Sequence, residues 1–424
     1  MKNLVVGAGL TGSIIAERLA SMLREEVTVI EKKSHVGGLH YDYEDKESGI
    51  VVQPIHTNFL HTNDKFIWDY LSKFAKMPPL TFRPSVEVQG FNVSLPLCLN
   101  SLTVFPEEFG KMLENKLISK FGYNKRITLA EMHRNFDDDL KFLADYFYQN
   151  VFKPYTIKQW GISENAIPAC EDTYYPFYIS NDDRYYKEKY QSVPMNGWTD
   201  LIENILKSNK RIKLKLNTDF SDINPSKFDR IFYTGSIDEY FDYKHGELPY
   251  RSVRVELSED YEINSSVAVY NYPYDYDFLR VNLYRNIYPN KIYTSSKNIV
   301  GFEFFEDFEL GKNERFYPIN NAKSNEIYKK YLVDAKKLSN VYFVGRMGEF
   351  KFYESDELVR RAFEVVADLV VKKSPNEIDK NSLNSENLEV ENNENEWGIS
   401  FIRWLFKIDR FWKNIGKIER KISN

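Results

Sequence analysis

Residues 3–33, NLVVGAGLTGSIIAERLASMLREEVTVIEKK, leave this chain few ways to fold. Leu4, Val5 and Val6 read as a short buried strand. Ile14, Ile15, Leu19, Met22 and Leu23 recur at helical spacing, and Val27 to Ile30 return as a second strand. Between strand and helix, Gly7, Gly9 and Gly12 fit G-x-G-x-x-G, with Leu10 and Thr11 inside the motif. The three glycines serve a tight turn, close approach of backbone to a pyrophosphate, and helix-to-strand packing, with the helix N-terminus facing the anion. Glu31 ends the second strand about 20 residues on, where an acid can bind a ribose 2′-hydroxyl. The bland alternative is a glycine-rich turn in an ordinary parallel sheet. Strand, glycines, helix, strand and terminal acid together favour a dinucleotide site.

The sequence after Glu31, KKSHVGGLHYDYED, carries Lys32 and a second glycine pair ending in Gly38 and Leu39. That arrangement resembles flavoprotein chains that bind FAD; a plain nicotinamide dehydrogenase does not need it. The far end supplies a matching half. SNVYFVGRMGEFKFYESDELVRRAFEVVADLV reads as a strand, Val341 to Val344, then Gly345 and Arg346, a loop, and a helix from about Asp356, with Glu354 and Ser355 at its entry. FAD-binding two-domain proteins commonly return to the Rossmann sheet with such a Gly-Arg strand and a helix aimed at the flavin. The arginine can pair a phosphate and the helix dipole stabilises negative charge. A surface salt bridge is the alternative for Arg346.

Composition narrows the function classes. The chain has 424 residues, 42% of them hydrophobic, enough for two or three packed units with a sizeable core. A net charge of −5 provides no global field for nucleic acid. Cys98 and Cys170, far apart, offer neither metal-ligand spacing nor a disulfide framework, which fits a reducing cytoplasm and no bound metal. No cleavable leader and no run of about 20 apolar residues is seen, so neither export nor membrane spanning is expected. Tyr, Phe and Trp make 16% of the chain. Tyrosines in runs such as NYPYDYDF carry polar tips that suit a pocket for a flat or sugar-like ligand.

With these residues in hand, the chain resembles the UDP-galactopyranose mutase family. The matching segments are GAGLTG, FLHTND, SLPL, FKPYTIKQWG, SVPMNGWTDLIENIL, FYTGSIDEYF, YRSV, FYPI and FVGRMG, in order over roughly residues 1 to 370. The resemblance implies an α/β fold: a Rossmann-type FAD-binding domain, an inserted helical domain and a mainly antiparallel sheet domain, with the active site in their shared cleft. It also implies an isomerase in which reduced FAD acts as nucleophile. N5 attacks the anomeric carbon, an N5–sugar adduct allows ring opening, and reclosure interconverts pyranose and furanose with no net redox change, for cell-surface polysaccharide biosynthesis. No catalytic nucleophile is then required of the protein, and His61 and Arg346 are supporting residues.

Carried over position by position, Tyr155 would lie against the uracil ring and Trp160 would help close the uridine pocket, with Gly161 letting the chain turn. An aromatic core segment is the alternative, although Lys158 and Gln159 would then be awkwardly polar. Arg280 falls on the family's diphosphate-gripping arginine and Tyr185 on an aromatic position near the diphosphate. His61, in FLHTND, matches a histidine close to the flavin; a surface loop histidine is the alternative.

Several positions depart from the family's pattern. The mobile loop of the mutases carries an R-L-P-V-R core, and counting without gaps puts YYPFY there, so Tyr174 and Tyr178 replace both arginines. A tyrosine donates one hydrogen bond but cannot neutralise a phosphate. Arg184 and Lys187 stand a few residues on as candidate substitutes. Asn58 replaces a histidine, with His56 two residues away, and Leu39 replaces an asparagine. Phe82, Phe316 and Phe352 stand where the family has an asparagine and two tyrosines near the sugar or diphosphate. Glu303 is retained. The resemblance implies UDP-galactopyranose or a close relative as substrate; losing polar contacts is tolerable when the ligand lacks the matching group, which makes a deoxy sugar nucleotide such as dTDP-fucopyranose the alternative. Rival readings are a flavin oxidoreductase of the amine oxidase type and a non-catalytic nucleotide-sugar binder.

The expected domains are 1–80 with 340–372 for the FAD-binding unit, 97–190 for a mainly helical substrate unit with a mobile loop, and 81–96 with 191–339 for the antiparallel sheet domain and connections. Residues 373–396, rich in Asn, Glu and Ser, read as a flexible linker. Residues 397–424 read as a basic amphipathic helix: Trp397, Phe401, Trp404, Ile408, Phe411 and Ile415 form one stripe. Such a helix suits a membrane surface, a partner protein or self-association, a homodimer among them, or packing back on the body of the protein.

Overall fold

A computed structural model describes residues 1–259, 265–288, 291–293 and 295–373. Lys2–Val6 is the central strand of a five-stranded parallel sheet. From one edge the order is Ile212–Lys215, Glu26–Ile30, Lys2–Val6, Arg230–Tyr233, Val341–Phe343. Leu4 and Val5 are fully buried there. Helix Leu10–Met22 crosses one face, burying Ile14, Ile15 and Leu19 against helices Trp198–Lys207 and Ser355–Lys373. Gly12 permits that approach: a Cβ on it would come within 2.0 Å of the Gly7 carbonyl oxygen.

This sheet recruits more of the chain than the sequence reading assigned to it. Within the expected antiparallel span 191–339, helix Trp198–Lys207 and strands Ile212–Lys215 and Arg230–Tyr233 belong to the parallel layer. The cause is burial. Trp198, Leu201, Ile202 and Ile205 form one apolar helix face that is buried in the core shared with helix Leu10–Met22. Arg230 opens its strand with a charge, which is buried beside Glu25 and Asn3.

The second sheet has seven strands, in the order Tyr317–Pro318, Tyr250–Ser258, Val300–Asp307, Arg280–Leu283, Val269–Asn271, Ser85–Val88, Phe91–Ser94. Only Val269–Asn271 with Ser85–Val88 runs parallel. The third unit packs helices Glu107–Phe121, Leu129–His133 and Asp138–Phe147 around Leu113, Leu117, Leu143 and Phe147. A short antiparallel pair, Lys125–Thr128 with Pro176–Ile179, closes that unit. Most of the YYPFY segment, placed by the sequence reading in a mobile loop, is therefore strand. Phe177 is fully buried and the Tyr178 amide donates to the Leu97 carbonyl.

Among the described residues no helix is long and apolar enough to cross a membrane. Of the expected linker 373–396 only residue 373 is described, at a helix end, and the expected helix 397–424 lies outside the described residues.

Candidate active site

Where the parallel strands end, a cavity of about 920 Å³ opens at the start of helix Leu10–Met22. Gly7, Gly9, Leu10, Thr11 and Gly12 form its floor. Glu31, Lys32, Gly38 and Leu39 stand on one wall and Gly345 and Arg346 on the other. Glu31 is fixed by backbone donors: Ala8 N at 2.9 Å and Lys33 N at 3.0 Å. Its carboxylate thus borders the cleft, as a ribose-binding acid should. The helix N-terminus has no side-chain cap, since Gly9 occupies that place, and its N–H groups stay available to an anion.

Arg346 is buried, donating to the carbonyl oxygens of Tyr353 at 2.7 Å and Phe316 at 3.4 Å, while its Nε has no partner. Burial lowers its pKa to about 10, so it remains a cation at neutral pH. An unpartnered buried N–H, a glycine floor, free helix N–H groups and a wall carboxylate fit an anionic dinucleotide. Arg346 is not the surface ion pair of the alternative reading.

Four residues assigned to the cofactor do not line this cavity. His61, Glu354, Ser355 and Asp356 cluster beside it. The His61 ring stacks on Tyr186 at 3.8 Å, with Nε2 3.7 Å from Glu354 and Nδ1 3.5 Å from Glu188. Burial opposes its charge, but Glu354, Glu188 and Asp356 outweigh that and raise its pKa. Ser355 reaches the cleft indirectly, through a 3.0 Å contact with the wall residue His40. Burial, with Arg346 and His56 nearby, lowers the His40 pKa to about 3 and keeps it neutral.

A second cavity, of about 530 Å³, lies between helix Lys153–Trp160, the antiparallel sheet and residues 175–186. It brings together Phe82, Tyr155, Trp160, Tyr185 and Arg280 from the sequence reading, with Tyr178, Asn271, Asn282 and His56 besides. YTIKQWG is helical up to Trp160, and Gly161 ends it in the left-handed region at φ 64°. A Cβ there would also strike the Arg251 guanidinium.

Arg280 is the one permanent cation among the residues lining this cavity. Its Nε donates to the Tyr155 hydroxyl at 3.0 Å and to Asn271 Oδ1 at 3.2 Å. Burial would lower its pKa, yet Tyr155 and Glu303 more than compensate and hold it charged. Glu303, fully buried and 3.9 Å from Arg280, accepts from Asn282 Nδ2 at 2.7 Å, His56 Nδ1 at 3.0 Å and Thr57 N at 3.3 Å. Burial alone would raise it, but His56, Arg280 and Asn282 hold it at about 2. His56, not Asn58, faces the cavity. The Asn58 side chain is tied to the carbonyls of Leu39 and His56.

Three expected substrate contacts lie elsewhere. Tyr174 is 86% exposed and outside the cavity wall. Phe316 and Phe352 flank the Arg346 guanidinium, at 5.6 and 4.7 Å from their ring centres. Arg184 and Lys187 do not replace the loop arginines. Arg184 donates to Asp182 at 2.9 and 2.8 Å, and Lys187 pairs with the same carboxylate at 3.1 Å.

The sequence reading assigned no role to Arg251. Its guanidinium, in the quoted YRSV, donates to Gln159 O at 3.0 Å and pairs with Asp307, fastening the end of the YTIKQWG helix to the sheet. The signal was the side-chain volume opposite Gly161, which only the fold reveals.

Comparison with known proteins agrees with this geometry. The family model described as UDP-galactopyranose mutase matches residues 150–352, and that described as NAD(P)-binding Rossmann-like domain matches residues 5–74. A probable UDP-galactopyranose mutase of Klebsiella pneumoniae is 29% identical over 379 residues, 87% of this chain and 95% of the relative. The dTDP-fucopyranose mutase of Escherichia coli is 28% identical over 385 residues, 88% of this chain and 99% of the relative. The crystal structure of a reduced UDP-galactopyranose mutase shares the fold, with TM-score 0.64 at 15% identity over 87% of this chain and 93% of that one. Glycine-floored cleft, adjoining aromatic cavity and these relatives agree: over residues 150–352 the chain matches the UDP-galactopyranose mutase family model, and over most of its length it is similar to proteins named UDP-galactopyranose mutase and dTDP-fucopyranose mutase.

Proposed function

We propose that this protein interconverts the pyranose and furanose forms of a pyrimidine-nucleotide sugar, UDP-galactopyranose or a close relative, on FAD in its reduced form. The observation that carries the reading is the Tyr155–Arg280 pair in a cavity that also contains His56, beside the cofactor cleft. When bound and reduced, the flavin supplies the nucleophile that takes the sugar from its nucleotide.

The side chains hold, orient and neutralise. Tyr155 and Trp160 offer ring faces to the base. Arg280 takes the diphosphate, and its charge matters most as the nucleotide departs with added negative charge. Glu303 fixes the His56 ring through Nδ1 and Asn282 through Nδ2, setting polar groups toward the sugar. Arg346 keeps a positive charge at the cofactor wall. Both cysteines are buried outside this cavity, and burial pushes the Cys170 thiol up to about 12, so neither supplies a thiolate. The furanosyl nucleotide then serves as a donor for cell-surface polysaccharide.

One observation favours a deoxy sugar. Phe82 is nearly buried in the cavity wall, 4.2 Å from the Phe59 ring and 5.6 Å from the Tyr186 ring, and its own side chain offers no hydrogen bond at that position. A methyl group suits it better than a hydroxymethyl group. The dithionite-reduced protein is to be incubated with UDP-galactopyranose and with dTDP-fucopyranose, and product ring size read by NMR. Furanose from either supports the mutase reading, and preference for dTDP-fucopyranose supports the deoxy form. Oxygen consumption with no ring contraction would sink both.

A further inference from the structure

Lys158 lies one turn beyond Tyr155 on the same helix, and its ammonium is enclosed by the loop that joins strands Val269–Asn271 and Arg280–Leu283. Nζ donates to the carbonyl oxygens of Tyr272 at 2.9 Å and Tyr276, with those of Tyr274 and Phe278 at 3.4 Å. Carbonyls of alternate residues thus converge on one cation. An ammonium has three N–H donors to share among them. Carbonyl dipoles aimed at a common point repel one another unless positive charge sits between them. The loop therefore holds this shape with the ammonium inside, and Asp275 adopts φ 67° to complete the curl.

Arg280 follows two residues after the last of these carbonyls. Its guanidinium meets Tyr155, on the helix that carries Lys158. A second tie joins the same loop to the helical unit, from the Tyr274 hydroxyl to the Gln149 carbonyl at 2.6 Å. One short helix thus fixes both ends of the arginine's placement: the loop through Lys158 and the guanidinium through Tyr155.

We infer that Lys158 is a positioning residue: filling the carbonyl ring of loop 272–279, it sets the approach to Arg280 and so aims that guanidinium at the nucleotide diphosphate. The inference rests on the nucleotide reading of the cavity given above. It explains why a lysine stands among aromatics in YTIKQWG without lining the cavity itself.

The test uses the flavin-loaded protein, with UDP and dTDP as probes. Lys158→Met keeps the stem and removes the N–H donors. Its Kd for the nucleotide should weaken about tenfold or more, the size expected from losing charge-assisted hydrogen bonds, while flavin content stays unchanged. Amides of loop 272–279 should exchange hydrogen faster. Unchanged Kd and unchanged exchange overturn the inference. In Lys158→Ala, n-propylammonium should restore nucleotide binding and tetramethylammonium at equal ionic strength should not, because only the first has N–H donors. Absence of that difference also overturns it. If both variants fail to fold, amine acylation of the unaltered protein decides: Lys158 should react far more slowly than Lys111, and equal rates overturn the assignment. Should the unaltered protein bind neither UDP nor dTDP, the nucleotide reading falls, and loop exchange with Lys158 labelling still judges the loop.

Discussion

Replacing Arg280 by Met tests the candidate site most directly. The side chain is the one permanent cation lining the substrate cavity and is held by Tyr155 and Asn271 before any ligand arrives. A hydrogen bond to a charged group is worth about 1.5–3 kcal/mol. Losing a two-pronged grip on a diphosphate, partly offset by water entering the site, should cost about 3 kcal/mol, or roughly 100-fold in Kd. The fold should survive. Glu303 sits 3.9 Å from Arg280 but retains Asn282, His56 and the Thr57 N–H, so the damage should stay below the roughly 3–5 kcal/mol seen when a buried pair is stripped. Calorimetric titration with UDP and dTDP measures the loss, and kcat and KM show whether it also falls on the departing nucleotide. Arg280→Lys should lie between, because an ammonium keeps the charge but lacks the planar fork that grips a diphosphate at two points. If the Tyr155 hydroxyl acts through the guanidinium, Tyr155→Phe should weaken binding in the native background and add little to Arg280→Met. Nucleotide affinity within threefold of the unaltered protein in Arg280→Met would refute the reasoning.

Further outcomes are expected elsewhere. Glu303 has its pKa held at about 2 against an ordinary 4.5, so the stability it adds is present above 4.5 and is lost as pH falls through about 2. Denaturant titration should find Glu303→Gln less stable than the native protein by about 3 kcal/mol near neutral pH, the gap narrowing over that acid window. Gly161→Ala should cost about 1–2 kcal/mol and loosen nucleotide binding, since φ 64° and the Arg251 guanidinium both oppose a Cβ; an unchanged Tm would contradict it. Phe82→Asn should move relative kcat/KM about tenfold toward UDP-galactopyranose and away from dTDP-fucopyranose, read from paired NMR rates. Ending the chain at Pro375 should abolish binding to anionic liposomes if residues 397–424 dock on membranes, and should leave the sedimentation behaviour unchanged if they do not self-associate.

The parts of the site that were legible in the sequence are local. The strand, turn and helix of residues 3–33 carry their chemistry within one supersecondary unit, so glycine spacing and the position of Glu31 suffice to place them on one cleft. YTIKQWG was legible as a motif but not as a helix, because its apolar residues follow no helical period and its polar members divide between a neighbouring loop, for Lys158, and the cavity, for Thr156 and Gln159. The parallel strands within the span 191–339 were not legible for a related reason. Strand Arg230–Tyr233 begins with a charge whose partners, Asn3 and Glu25, come from the far N-terminus.

From its sequence alone, this chain is committed to a dinucleotide-binding strand, turn and helix, since those follow from periodicity and spacing over a few turns, whereas a nucleotide role for YTIKQWG is implied only by the family resemblance. Which charges remain for a ligand was decided only by tertiary structure. Arg184 and Lys187 are close in sequence to the altered loop, yet both are drawn to the Asp182 carboxylate and neither lines the cavity. Arg280 lies 125 residues from Tyr155, yet it reaches the cavity with its cation intact. Long-range packing chooses partners for buried charges, and a charge's partner decides whether it is structural or available.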